Sequence, residues 1–226
     1  MELLLLRHAQ PEWARGREAQ VDPGLTDLGQ KQAERAADRL AGIHLDEILV
    51  STATRARQTA APLLDRLPGV HTETCGWLHE IRMPDSWQGT PAEEVDRIFR
   101  EARARGRDAW WEGIDGGESF RDFHARVTDG LTLELAERGI ERDDEGLWHL
   151  PADAPARVLL VAHAGTNSVV LGHLLGLDPE PWEWERFASD HASVTLLRTT
   201  DIAGQQIFSL QSFSDVSHLS PELVTA

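Results

Sequence analysis

LLLLRHAQPEW, residues 3–13, runs four leucines straight into an arginine and a histidine. A continuous apolar run suits a strand covered on both faces, the condition of a strand inside a parallel sheet, whereas a half-solvated strand alternates. Arg7 and His8 then stand at the carboxyl end of that strand. Two further segments repeat the pattern of apolar run, polar turn and helical periodicity: EILV from Glu47 into STATRARQTAAPLL, and VLLVAHAGTNSVVLGHLLG from Val158. Strands that alternate with crossover helices predict an α/β fold with a mostly parallel sheet between helix layers.

The connecting segments agree. LTDLGQKQAERAADRLAG places Leu28, Gln32, Ala36 and Leu40 at helical spacing, with Thr26 as N-cap and Gly42 as stop, and predicts the first crossover helix. Residues 116–139 read as a long helix started by Gly116 and Gly117, with Phe120, Phe123, Val127 and Leu131 on one face. SVTLLRTT and QQIFSLQSF, either side of Gly204, form the only candidate hairpin. Residues 81–115 are rich in charge, Trp and Gly. With a helical pattern from Pro91 to Arg105, they are expected to form an insertion or lid in a single domain spanning 1–226.

Composition narrows the function. A net charge of −16 opposes a nucleic-acid or anionic-membrane partner, since both require a basic face. Lys31 is the only lysine, so arginine supplies nearly all the positive charge; its planar fork suits phosphate or carboxylate, but genomic composition is the simpler source of the bias. Cys75 is the only cysteine, which rules out an internal disulfide and any multi-cysteine metal site. Glu2 precedes the leucines and Arg7 ends them, which does not fit a signal or membrane segment. A cytoplasmic location is expected.

In open parallel sheets ligands bind beyond the carboxyl ends of the strands. Arg7, His8, Arg55 and His163 all fall there, a set suited to a phosphoryl group near helix N-termini. Alone, Arg7 reads as a strand-end charge and His8 as a packed histidine. HExxH chemistry is ruled out at His79–Glu80, because position 83 is methionine. His173 reads as a packed helix residue, while His44, His71, His124 and His149 have no visible partners.

With those segments in order, the chain resembles the histidine phosphatase superfamily, the phosphoglycerate mutase-like proteins with an RHG motif. LTDLGQKQA is similar to LTxxGxxQA, ILVSTATRARQTA to TSxxxRAxQTA, and LHEIRMPDSWQG to an acid segment ending in W-x-G. GGES, VAHAGTN and FSDVSHL resemble three later motifs, so the likeness spans nearly the whole chain. It implies a three-layer αβα sandwich and a metal-independent phosphatase without a cofactor, acting on a small phosphorylated substrate. It also implies His8 as the nucleophile, Glu80 as proton donor, and Arg7, Arg55 and His163 as the phosphate clamp.

The chain departs from the motifs at Ala9 and Ala164, where the family has glycines, and at Ala14, where many members have an asparagine. Gln10, Arg15 and Arg17 are the candidates to replace that asparagine's contact, the first two also as substrate contacts. Glu94, Glu112 and Glu118 compete with Glu80 as donor. Trp87, with Trp13, is a candidate wall of the substrate pocket, while Trp110 and Trp111 either wall it or pack the lid. A mutase and a silent phospholigand-binding protein remain the alternatives, and the Trp-rich insertion or the terminal hairpin offers a surface for a homodimer.

Overall fold

A computed structural model describes residues 1–226. In chain order the strands are β1 (Glu2–Arg7), β2 (Ala14–Arg15), β3 (Glu18–Ala19), β4 (Glu47–Ser51), β5 (His71–Cys75), β6 (Glu141–Arg142), β7 (Trp148–His149), β8 (Arg157–Ala162), β9 (Val194–Ile202) and β10 (Gln205–Asp215). The helices are α1 (Asp27–Leu40), α2 (Thr54–Arg66), α3 (Ala92–Arg103), α4 (Arg107–Trp111), α5 (Phe120–Ala136), α6 (Ala164–Leu174) and α7 (Glu183–Arg186). None of them is long and apolar enough to cross a membrane.

One eight-stranded sheet in the order β5-β4-β8-β1-β9-β10-β7-β6 forms the centre. Its first four strands are parallel, and β9, β10, β7 and β6 continue it antiparallel. The run of leucines is explained by burial on both faces. Leu3 and Leu5 pack into the core layer of α5 and α6, with Phe120, Phe123, Val127 and Val170. Leu4 and Leu6 pack into the opposite layer, with Ala33 and Ala36 of α1 and Ala56 and Ala60 of α2. The core lies in these two layers, with helices on both faces as the α/β reading predicts.

The first crossover helix begins as expected, with Thr26 Oγ1 accepting from Gly29 N. Gly29 has a second role, since a Cβ there would stand 2.2 Å from the Gln10 carbonyl oxygen. Only glycine lets α1 approach the loop after β1 so closely. The long helix α5 starts at Ser119, whose side chain caps Asp122 N, two residues beyond the glycine pair. The hairpin β9–β10 is present, but it is not alone: β2 pairs with β3 and β6 with β7 as short antiparallel ladders. Two-residue strands are too short to show an alternating pattern. Strand β5 was also invisible in the sequence, because HTETC lies at the sheet edge with four of its five residues exposed and no apolar run.

Candidate active site

Sheet topology fixes the location of the site. Neighbours β1 and β8 send their following helices to opposite faces, α1 to one and α6 to the other, which opens a crevice at their carboxyl ends. Register then brings the histidines together. Arg7 pairs with Ala162, and His8 N donates to the Ala162 carbonyl at 2.8 Å, so His8 and His163 leave the sheet side by side. Their ring centroids are 5.1 Å apart, and both residues are buried, at 3% and 0% exposure.

His8 Nδ1 lies 2.8 Å from the Ala9 carbonyl oxygen. A carbonyl only accepts, so Nδ1 carries the proton and Nε2 keeps its lone pair. Burial first, then the Arg55 and Arg7 charges, hold the imidazole's pKa well below the usual 6.5. The ring is therefore neutral at neutral pH, as a nucleophile requires. The backbone beside it is fixed by Thr59 Oγ1, which accepts from Ala9 N at 2.9 Å, and by Gln32 Oε1, which accepts from Gln10 N at 2.8 Å.

Three cationic or polar groups border this ring with unpartnered nitrogens. Arg55, 3% exposed, leaves Nε and Nη1 without a hydrogen-bond partner, with Asp22 3.7 Å from Nη1 and the Trp13 ring centroid 4.8 Å from the guanidinium carbon. Arg7 donates to the Ser189 carbonyl and to His191 Nε2, leaving Nε free. His163 Nε2 lies 2.8 Å from Ser51 Oγ, while its Nδ1 has no partner. Ser51 Oγ also accepts from Ala53 N at 3.3 Å, which fixes the hydroxyl beside the ring. Buried donors without partners are costly and uncommon. Several around one point suit a ligand with several acceptor oxygens.

Glu80 completes the group from the other side. Its Oε2 accepts from Gly165 N at 2.9 Å, at the start of α6, and its Oε1 accepts from Ile81 N at 3.0 Å. A Cβ on Gly165 would stand 2.5 Å from Glu80 Oε1, so glycine makes room for the carboxylate. The segment carrying Glu80 is held by Arg126, which donates to the carbonyls of Trp77 at 2.9 Å and His79 at 3.0 Å. Arg126 is in turn bound by both oxygens of Glu118, at 2.8 and 2.7 Å. Glu118, a rival donor in the sequence, is thus a strut, and the GGES turn supplies it.

A cavity of about 1000 Å³ opens here, bordered by Arg7, Arg55, Glu80 and Trp87. Gln10 and Arg15 do not border it. The Gln10 amide oxygen accepts from Thr26 Oγ1 at 2.8 Å, and Arg15 is exposed and paired with Glu12 at 2.7 Å, which removes the basis for expecting either in contact with substrate. Trp110 lines the cavity, whereas Trp111 packs edge-on against Phe120 with centroids 5.3 Å apart. Away from the site, His44 and His71 do have partners, Asp46 at 3.0 Å and Glu73 at 2.7 Å.

The sequence reading missed Ser51, His191 and Arg126. Ser51 was within reach, one position past a strand in the ILVSTATRARQTA segment. His191 gave no local signal: its Nε2 accepts from Arg7 Nη2 at 3.1 Å across 184 positions, and burial then Arg7 lower its pKa to about 3.

Known proteins similar to this chain share one family. The profile of the histidine phosphatase superfamily (branch 1) matches residues 3–207. Glucosyl-3-phosphoglycerate phosphatase of Mycolicibacterium vanbaalenii is 36% identical over 182 residues, 80% of this chain and 76% of that protein. A 2,3-bisphosphoglycerate-dependent phosphoglycerate mutase of Brucella melitensis is 30% identical over 188 residues, 79% and 83% of the two chains. Among solved structures, a mycobacterial glucosyl-3-phosphoglycerate phosphatase in complex with inorganic phosphate superposes with a TM-score of 0.70 at 29% identity, covering 97% and 99%.

Proposed function

The chain belongs to the histidine phosphatase superfamily, and from that membership we propose that it hydrolyses a small phosphomonoester through a phosphohistidine on His8. The observation that carries the reading is the ring of buried, unpartnered nitrogens on Arg7, Arg55 and His163 around a neutral imidazole. His8 Nε2 attacks phosphorus, the bond to the leaving oxygen breaks, and Glu80 in its protonated form donates to that oxygen. Water then attacks the phosphohistidine, Glu80 takes its proton, and orthophosphate leaves with His8 restored. Arg7, Arg55 and His163 bind the non-bridging oxygens throughout, in the role that preorganised cations have in phosphoryl transfer.

Hydrolysis is favoured over a mutase reaction by charge. A bisphosphate needs a second set of free cations, and beyond the clamp the cavity offers only Arg103, paired with Glu185, and Arg82, 3.8 Å from Glu118. The region 81–115 serves in this reading as a lid of the single domain. A cytoplasmic location fits a lone thiol, Cys75, whose pKa burial and nearby carboxylates push up to about 12, out of reach of thiolate chemistry.

The test is turnover of p-nitrophenyl phosphate with EDTA present, for wild type and His8→Ala at pH 5.5 and 7.5. Activity that survives EDTA and disappears in His8→Ala is expected. No activity in the wild type overturns the reading in favour of phospholigand binding.

A further inference from the structure

Beyond the phosphate clamp the cavity has a composition of its own. Helix α3 turns Ala92, Val95, Phe99 and Ala102 toward it, at the spacing of one helical face, and no residue of α3 is fully buried. Phe99 is 39% exposed despite an edge-on contact with Trp87 at 5.5 Å between centroids. Trp110 and Trp184 line the same cavity. Two apolar groups of side chains therefore border one open space, although apolar faces are normally covered by protein.

The charges at the cavity show the opposite balance from the clamp. Its lining includes four arginines, Arg7, Arg55, Arg82 and Arg103, against six carboxylates. Arg103 is paired with Glu185, Arg82 stands 3.8 Å from a Glu118 that Arg126 already binds, and neither Asp85 nor Asp96 is in an ion pair. A second anionic group on the substrate would meet surplus negative charge, with Arg82 alone to set against it.

We infer that the alcohol released by this enzyme is uncharged and carries an apolar, preferably aromatic body, held against the α3 face (Val95, Phe99), Trp110 and Trp184. This rests on the phosphatase reading for the word substrate, but the recognition it describes does not depend on turnover. Val95 and Phe99 are then specificity-determining residues: they touch the leaving group and leave the phosphoryl group alone.

Calorimetric binding of three stable phosphonates tests the inference: 2-phenylethylphosphonate, 3-hydroxypropylphosphonate and 4-phosphonobutyrate. The phenyl compound should bind at least tenfold tighter than the carboxylate, with the hydroxyl compound between them. Phe99→Ser and Val95→Ser, both at half-exposed positions, should each shrink that ratio about threefold or more and leave methylphosphonate affinity unchanged. Equal or reversed affinities, an unchanged ratio in both variants, or no binding of any of the three overturns the inference. Absence of p-nitrophenyl phosphate turnover with the affinity order intact overturns the phosphatase reading alone. Turnover without the affinity order overturns the leaving-group inference alone.

Discussion

The segments just past β1, β4 and β8 hold His8, Arg55 and His163 almost wholly out of solvent, while α3, which lines the same cavity, has no fully buried residue. The first region is rigid and electrostatically unsatisfied. The second is loosely packed and faces its apolar side to the cavity. Two kinds of stability follow from this difference. Strand ends bonded on both sides can hold buried cations that lack partners, because the surrounding sheet fixes them, and such preorganisation is what phosphoryl transfer requires. A half-exposed helix fixes little, and its side chains can change with less effect on the fold.

The sharpest way to break this comparison is Arg55→Met. Removing a clamp guanidinium should lower kcat/KM for p-nitrophenyl phosphate by about 10³-fold or more, by analogy with other arginines that stabilise phosphoryl transfer. The melting temperature should stay level or rise, since a buried charge with two unpartnered donors is replaced by an apolar side chain of similar length. A large loss of stability would show that Arg55 is structural.

Arg126→Gln acts one step further out. The guanidinium that ties Trp77, His79 and Glu118 together is lost, so Glu80 is positioned less well. A fall in kcat of about 10- to 100-fold is expected, in the range seen when outer-shell partners of a site are removed. The signature is selective: an alkyl phosphate, whose alkoxide leaves only with a proton, should lose more than p-nitrophenyl phosphate, whose leaving group needs little acid. Equal losses on both substrates, with a lowered melting temperature, would mean a structural role only.

Legibility in the sequence follows the same division. Both faces of β1, β4 and β8 are buried, so their residues are forced to be apolar, and the runs showed the parallel sheet and with it the strand ends carrying Arg7, His8, Arg55 and His163. Glu80 came from the resemblance, not from any pattern, because its position depends on a strut from α5 and an amide of α6. Arg126 looked like one more charge on a helix, since nothing in its neighbours shows that it faces the carbonyls of Trp77 and His79. Gln10 and Arg15 were misplaced for a related reason: sequence proximity to His8 says nothing about direction once the chain turns out of the sheet. Strand β5 and the short ladders bury too little to leave a pattern.

Acid should separate the two regions next. His8, His163 and His191 all have pKa values depressed by burial, with Arg55 the next cause for His8 and His163 and Arg7 for His191. Below pH 6.5 the unfolded chain takes up protons that the folded clamp refuses, so stability falls as pH drops, by about 1.4 kcal/mol per unit for each such histidine. Above pH 6.5 both states are neutral at these rings and the dependence disappears. Chemical denaturation between pH 5 and 8 measures the slope, and the steep limb should lie on the acid side. A stability that rises on acidification would mean that the rings are protonated in the folded state, against the neutral nucleophile.

The smallest effect belongs to the lid. Val95 is half-buried in α3 and faces the cavity, so Val95→Ser removes little protein contact and should change unfolding free energy by about 0.5 kcal/mol or less. Phe123→Ala, in the core layer under β1, should cost about 3–5 kcal/mol by the same measurement. The contrast matters more than either value. If Val95→Ser destabilises as a core substitution does, α3 is part of the folded core and its apolar face is covered by protein. If it does not, that face is free to be covered by whatever enters the cavity, and the cost of the substitution appears in KM instead of in the melting curve.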